Sequence, residues 1–66
     1  MSEVRVSNSE LRTVRDAMRE LNRLVAKLEQ GEADKFVLTH RNQMRAVVVS
    51  LDRFSDLERR AALHAA

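Results

Sequence analysis

Leu11, Val14, Met18, Leu21, Val25 and Leu28 follow one another at alternating steps of three and four residues. On a helix that turns every 3.6 residues this spacing gathers them into one apolar stripe, with Ala17 and Leu24 beside it. It predicts a helix of about 20 residues. Ser7 and Glu10 stand three apart just before the stripe. A hydroxyl at Ser7 can accept from the backbone N–H three residues on while Glu10 reaches back, a capping box that opens a helix, with Ser9 as an alternative cap. Gly31 supplies the left-handed residue that closes it.

A chain of 66 residues has little left with which to bury that stripe. A domain this small hides only about 60% of the surface its unfolded form exposes. The sequence has no cysteine, so neither a disulfide nor a thiolate-bound metal can staple the core, and a partner subunit is the remaining staple. Val4 and Val6 alternate with Glu3, Arg5 and Ser7, the period-2 pattern of a half-buried strand. Lys35 to Thr39 and Arg45 to Ser50 are rich in β-branched residues and flank Arg41-Asn42-Gln43-Met44, in which Asn42 suits a positive φ; together they predict a hairpin. Ala46 to Val49 is apolar on both faces, as expected of a central, buried strand covered on one side by helices and on the other by a second subunit. Ser50 caps a second helix with Leu51, Phe54, Leu57 and Ala61 on one face, Asp52 in its first turn and Arg59 and Arg60 later. Ser55 and Glu58 form a second box that would divide this helix in two, and the alanine-rich end from Ala61 to Ala66 is expected to fray.

The residues of several chemistries are missing. His40 and His64 are the only imidazoles and lack metal-ligand spacing. No serine sits in a glycine-flanked elbow and no glycine-rich loop is present to cradle a phosphate. Asp16 and Glu20 are four apart, but Arg12, Arg19 and Arg23 interleave with them, which is the pattern of a salt-bridged solvent face. The expectation is a protein with no enzymatic activity, metal or cofactor. The longest apolar run, Ala46 to Val49, is far short of the roughly 18 residues of a membrane span, and the amino end has no signal-sequence pattern. A cytoplasmic chain with no membrane partner is expected.

Twelve basic against ten acidic side chains leave a net charge of only +2, so an argument for nucleic acid rests on where the charges sit. Arg12, Arg15, Arg19 and Arg23 can line one ridge of the first helix. The interleaved acids assign Arg19 and Arg23 to a solvated flank. Arg12 is expected in the first helical turn, where free N–H groups favour a phosphate. The hairpin carries Lys35, His40, Arg41 and Arg45 with no acid from Lys35 through Ser50. This basic island serves equally as exposed surface or as a phosphate contact, and two-fold pairing would double it. With no Trp or Tyr, and Phe36 and Phe54 at core positions, base stacking is unavailable, which points to duplex DNA rather than single strands or RNA. Glu10, Asp16, Glu20 and Glu29 on the polar flank would be repelled by anionic lipid.

In order, the chain reads: short strand, Ser-Xaa-Ser-Glu-Leu-Arg helix start, Gly-Glu near the helix end, Leu38-Thr39-His40-Arg41-Asn42, Ala46-Val47-Val48-Val49-Ser50-Leu51, and Phe54 followed three residues on by Leu57. From Val4 to about Arg60 this order resembles the Phd/YefM antitoxins of bacterial toxin–antitoxin modules. The resemblance implies a homodimer that binds its own operator DNA as a repressor, and a carboxy-terminal segment that blocks a cognate toxin. It implies DNA contacts from Asn8, Ser9 and Arg12 at the first helix and from His40, Arg41 and Arg45 at the basic turn. The chain departs from the family in having His40 where a second basic residue often follows the threonine, in lacking a glycine in the turn, and in a longer first helix. It also stops soon after the second helix, so the expected toxin-binding tail is short or absent, and Leu57, Ala61 and Leu63 are the expected partner-binding residues.

Pattern and resemblance together predict one α+β domain over 1–66: short strand, long helix, β-hairpin and C-terminal helix, with a small antiparallel sheet covered by helices and completed by dimerisation. The competing expectation is a protein-interaction module that binds a partner without touching DNA.

Overall fold

A computed structural model of the chain describes the backbone of residues 5–65 and the side chains of residues 5–62. The fold is α+β. A 3-10 turn at Asn8–Glu10 leads into β1 (Leu11–Thr13), α1 (Val14–Glu29), β2 (Phe36–His40), β3 (Gln43–Val48) and α2 (Leu51–Ala65).

The Ser7/Glu10 signal is real but closes a shorter element than expected. The Ser7 N–H donates to Glu10 Oε1 at 3.0 Å and the Glu10 N–H donates to the Ser7 carbonyl at 2.9 Å, completing one 3-10 turn. Leu11 then returns to extended backbone. The long helix begins only at Val14, where Thr13 Oγ1 accepts from the Asp16 N–H at 3.0 Å. Its end is as predicted. Gly31 takes φ 77°, the Gly31 N–H reaches Leu28 O at 3.3 Å and the Glu32 N–H reaches Lys27 O at 2.9 Å, the paired bonds of a Schellman stop.

The expected strand at Val4 and Val6 is not the one that forms. Val4 lies outside the described residues, and Arg5 to Ser7 pair with no strand. Leu11, Arg12 and Thr13 instead pair with Val37, Leu38 and Thr39 in parallel register. Parallel neighbours need a crossover connection, and α1 supplies it. The sheet is therefore mixed, with only the β2–β3 hairpin antiparallel, and its order β1-β2-β3 puts β2 at the centre. Phe36 and Val37 are each only 2% exposed there. Ala46 to Val48 thus belong to an edge strand rather than to a central one, and Val47 remains 48% exposed. The hairpin is also tighter than expected. Gln43 and Met44 join β3, and Arg41 and Asn42, at φ 54° and 63°, form a two-residue turn whose left-handed backbone matches the twist of the strands. A bulge follows, since Leu38 faces Ala46 while Thr39 faces Met44, leaving Arg45 unpaired.

The apolar stripe of α1 divides. Ala17, Leu24 and Leu28 pack with Phe36 into the core, supported by Ala33, Leu38 and Val48. Glu20 lies to one side of that line, over β1, where it meets Arg12. Val14, Met18, Leu21 and Val25 lie to the other side, and Met18, Leu21 and Val25 are 73%, 48% and 41% exposed. The helix roofs β1 and β2, and Ala46 of β3 stays exposed.

Ser50 caps α2 as predicted, its Oγ accepting from the Arg53 N–H at 3.1 Å. The helix runs unbroken past Ser55 and Glu58. Its first turn is tied to the α1–β2 connection by Arg53 Nε, 3.6 Å from Asp34 Oδ1. On this helix Leu51, Phe54 and Leu57 are exposed, and among the described residues the sheet packs chiefly against α1. The Cα radius of gyration, 12.9 Å, exceeds the roughly 10.8 Å of a compact chain of this length.

Two carboxylates make this fold acid-sensitive. The Ser7 amide, with Lys35 Nζ 3.3 Å away, holds the Glu10 carboxyl below its ordinary value of 4.5. Arg19 and the Thr13 hydroxyl hold Asp16 below 3.8. Each folded value is depressed, so the stabilisation is complete above the ordinary value and is lost as pH falls through the folded one. The urea midpoint is expected to fall as pH drops below about 4.5, and Glu10→Gln is expected to flatten that fall. An identical pH profile for the variant would remove Glu10 from the account.

Candidate nucleic-acid interface

The parallel register builds a groove at one end of the sheet. Because Thr13 stands beside Thr39, the start of α1 comes to rest next to the β2–β3 turn. One wall is Thr13, Val14, Arg15, Met18 and Arg19, and the other is Thr39, His40, Arg41 and Asn42. The open space between them measures about 600 Å³. Val14 and Met18 give it an apolar surface, Arg15, Arg19 and Arg41 bring positive charge to it, and His40 adds an imidazole. Asp16 adjoins it and pairs with Arg19. Among the described residues Arg15 and Arg41 form no ion pair. Planar guanidinium groups beside a helix N-terminus suit a phosphodiester, which they can meet with paired N–H donors.

The residues expected to contact DNA do not all assemble here. His40 and Arg41 do. Arg45, exposed at the bulge, borders a separate depression with Val37, Met44 and Val47. Asn8 and Ser9 precede β1 and so lie toward the opposite end of the sheet from the turn. Ser9 borders a hollow with Lys27 and Glu32 near the end of α1.

Arg12 is not in a helical turn but in β1, and its side chain points into the structure. One terminal nitrogen donates to the carbonyls of Ser9 at 2.9 Å and Leu11 at 2.8 Å. Nε sits 3.8 Å from Glu20 Oε1, and the guanidinium carbon lies 5.2 Å from the centre of the Phe36 ring. Lys35 also leaves the basic island, since Glu10 neutralises it.

The sequence pattern alone gives Arg15 and Arg19 no binding role. The signal that could have found them was the ridge Arg12, Arg15, Arg19, Arg23, from which the strand start removes Arg12 and the groove selects the middle pair.

Of the expected partner-binding residues, Leu57 is 41% exposed and Ala61 is exposed on α2, while Leu63 lies outside the residues with described side chains. Among the described residues no cluster of His, Asp or Glu could hold a metal, and no helix is long and apolar enough to cross a membrane. No protein-family profile, curated protein or solved structure matches the chain.

Proposed function

We propose that this chain is an antitoxin-like autorepressor, a homodimer that binds the duplex operator DNA of a toxin–antitoxin operon and also meets its cognate toxin. The observation that carries the DNA-binding reading is the groove, where a rigid two-residue turn and a helix start bring arginines together. Arg15 and Arg41, which carry no ion pair among the described residues, hold phosphates, and Arg19, His40 and Asn42 border them. The exposed flank of α1 past the groove, at Leu21 and Val25, provides the apolar surface for pairing two chains, and a two-fold axis presents two grooves to two half-sites.

The test is retention of a duplex carrying the promoter of the chain's own operon across a salt series. Each phosphate neutralised contributes about 0.9 to the log–log slope. Arg41→Ala removes one contact per half-site and is expected to flatten the slope by about 1.8 while weakening binding. Arg23→Ala, outside the groove, is expected to change neither. Equal effects of the two substitutions would reject the reading.

One observation favours a second reading, an interaction module that binds a partner protein without DNA: Leu51, Phe54 and Leu57 lie open on α2. In that case Arg41→Ala leaves every interaction intact, and Leu57→Asp abolishes capture of the co-encoded protein.

A further inference from the structure

Arg12 is the side chain that both position and charge would send to a phosphate, and its surroundings give it different work. We infer that Arg12 is a positioning residue that builds the groove from behind rather than a ligand of whatever anion enters it. The inference rests on the groove as the binding site and concerns how that site is held in shape.

The geometry is that of a hub. Its guanidinium touches three separate parts of the chain. It closes the 3-10 turn onto the strand through the Ser9 and Leu11 carbonyls. It reaches α1 through Glu20 and lies over the ring of Phe36 in β2. The side chain is 21% exposed. Its backbone carbonyl meanwhile accepts from Thr39 Oγ1 at 3.4 Å, at the groove end of β2. The next residue, Thr13, caps α1 and stands beside Thr39. Arg12 therefore pins a three-residue strand between the helix and the central strand, and the far end of that strand is where the two groove walls meet. A strand this short has few ladder bonds of its own, so the clamp sets its register. Arginine suits this place because one terminal nitrogen donates to both carbonyls while Nε faces Glu20 and the planar group lies over a ring. Lysine has one charged atom and no face to offer.

The consequences separate from those of a phosphate ligand. Arg12→Ala is expected to lower the melting temperature by about 10 °C, since hydrogen bonds from a charged donor are lost from a small domain. Amide hydrogen exchange, measured without DNA, is expected to speed up about ten-fold more at residues 11–13 and 37–39 than at residues 24–28 of α1. On operator DNA the variant binds more weakly but keeps the parental salt slope, in contrast to Arg41→Ala, because no phosphate contact is removed. Arg12→Lys serves where the alanine variant does not fold, and is expected to show the same exchange pattern in milder form.

Exchange that rises uniformly over the chain would reduce Arg12 to general stability, and a flattened slope would make it a phosphate ligand. Either result overturns the inference. If the parent chain binds no DNA at any salt, the repressor reading falls and the exchange pattern still decides the role of Arg12.

Discussion

Leu24→Ala is expected to leave most of the chain unfolded at room temperature and micromolar concentration. Leu24 is 1% exposed and sits between Ala17 and Leu28 against Phe36. Truncating a buried leucine costs about 2–5 kcal/mol, because the cavity left behind closes only in part. The whole stability of a domain of this length is about 3–10 kcal/mol. With so few buried side chains in the core, this chain belongs at the low end of that range, where such a loss consumes the whole. Far-UV circular dichroism against urea reads the effect directly, and a midpoint within error of the parent would show that the core lies elsewhere.

The second large effect is expected on assembly. Leu21 is only three residues from Leu24, yet it falls on the flank of α1 where Met18 and Val25 are also open. In a homodimer joined by these flanks, Leu21→Asp buries a charge without a partner. Dissociation is expected to be favoured at least 100-fold, about 2.7 kcal/mol. Light scattering should then give the 7.6 kDa chain mass for the variant and twice that mass for the parent. The substitution leaves the chain's own core untouched, so circular dichroism at high concentration serves as the control. A variant that stays dimeric would move the seam to the β3 edge or to α2.

Much of the framework can be read from the sequence because it depends on local chemistry. The Ser50 cap, the Gly31 stop, the hairpin and the order of elements all follow from the preferences of a few adjacent residues. What cannot be read this way was decided at a distance. Leu11 and Val14 keep helical spacing straight through β1, so the pattern hides a strand that exists only because β2 lies alongside it. The Ser7/Glu10 box is the same signal whether one turn follows or five. The stripe on α1 contains both a buried and an open set, and only the direction of the sheet beneath tells Leu24 from Leu21. Arg12 was legible as a cation at the right distance from a helix start. Its inward orientation is set by Phe36 and Glu20, which are 24 and eight positions away in the chain. Half of the basic island survives folding for a similar reason: Lys35 finds Glu10 ahead of the neighbouring strand, while Arg41 at the tip has no acidic partner among the described residues.

The turn that carries Arg41 has a cost of its own. At φ 54° the backbone sits where a side chain crowds the following carbonyl, and glycine would rest there more easily by about 1 kcal/mol. In a chain with so thin a margin, that is a sizeable handicap to keep at a solvent-exposed tip where nothing in the core requires it. Selection for heat resistance alone would therefore favour glycine at this position, and the hairpin would become less strained and harder to melt. On the proposed DNA-binding reading it would also lose its phosphate contact, so thermal hardening and ligand grip would pull this one position in opposite directions.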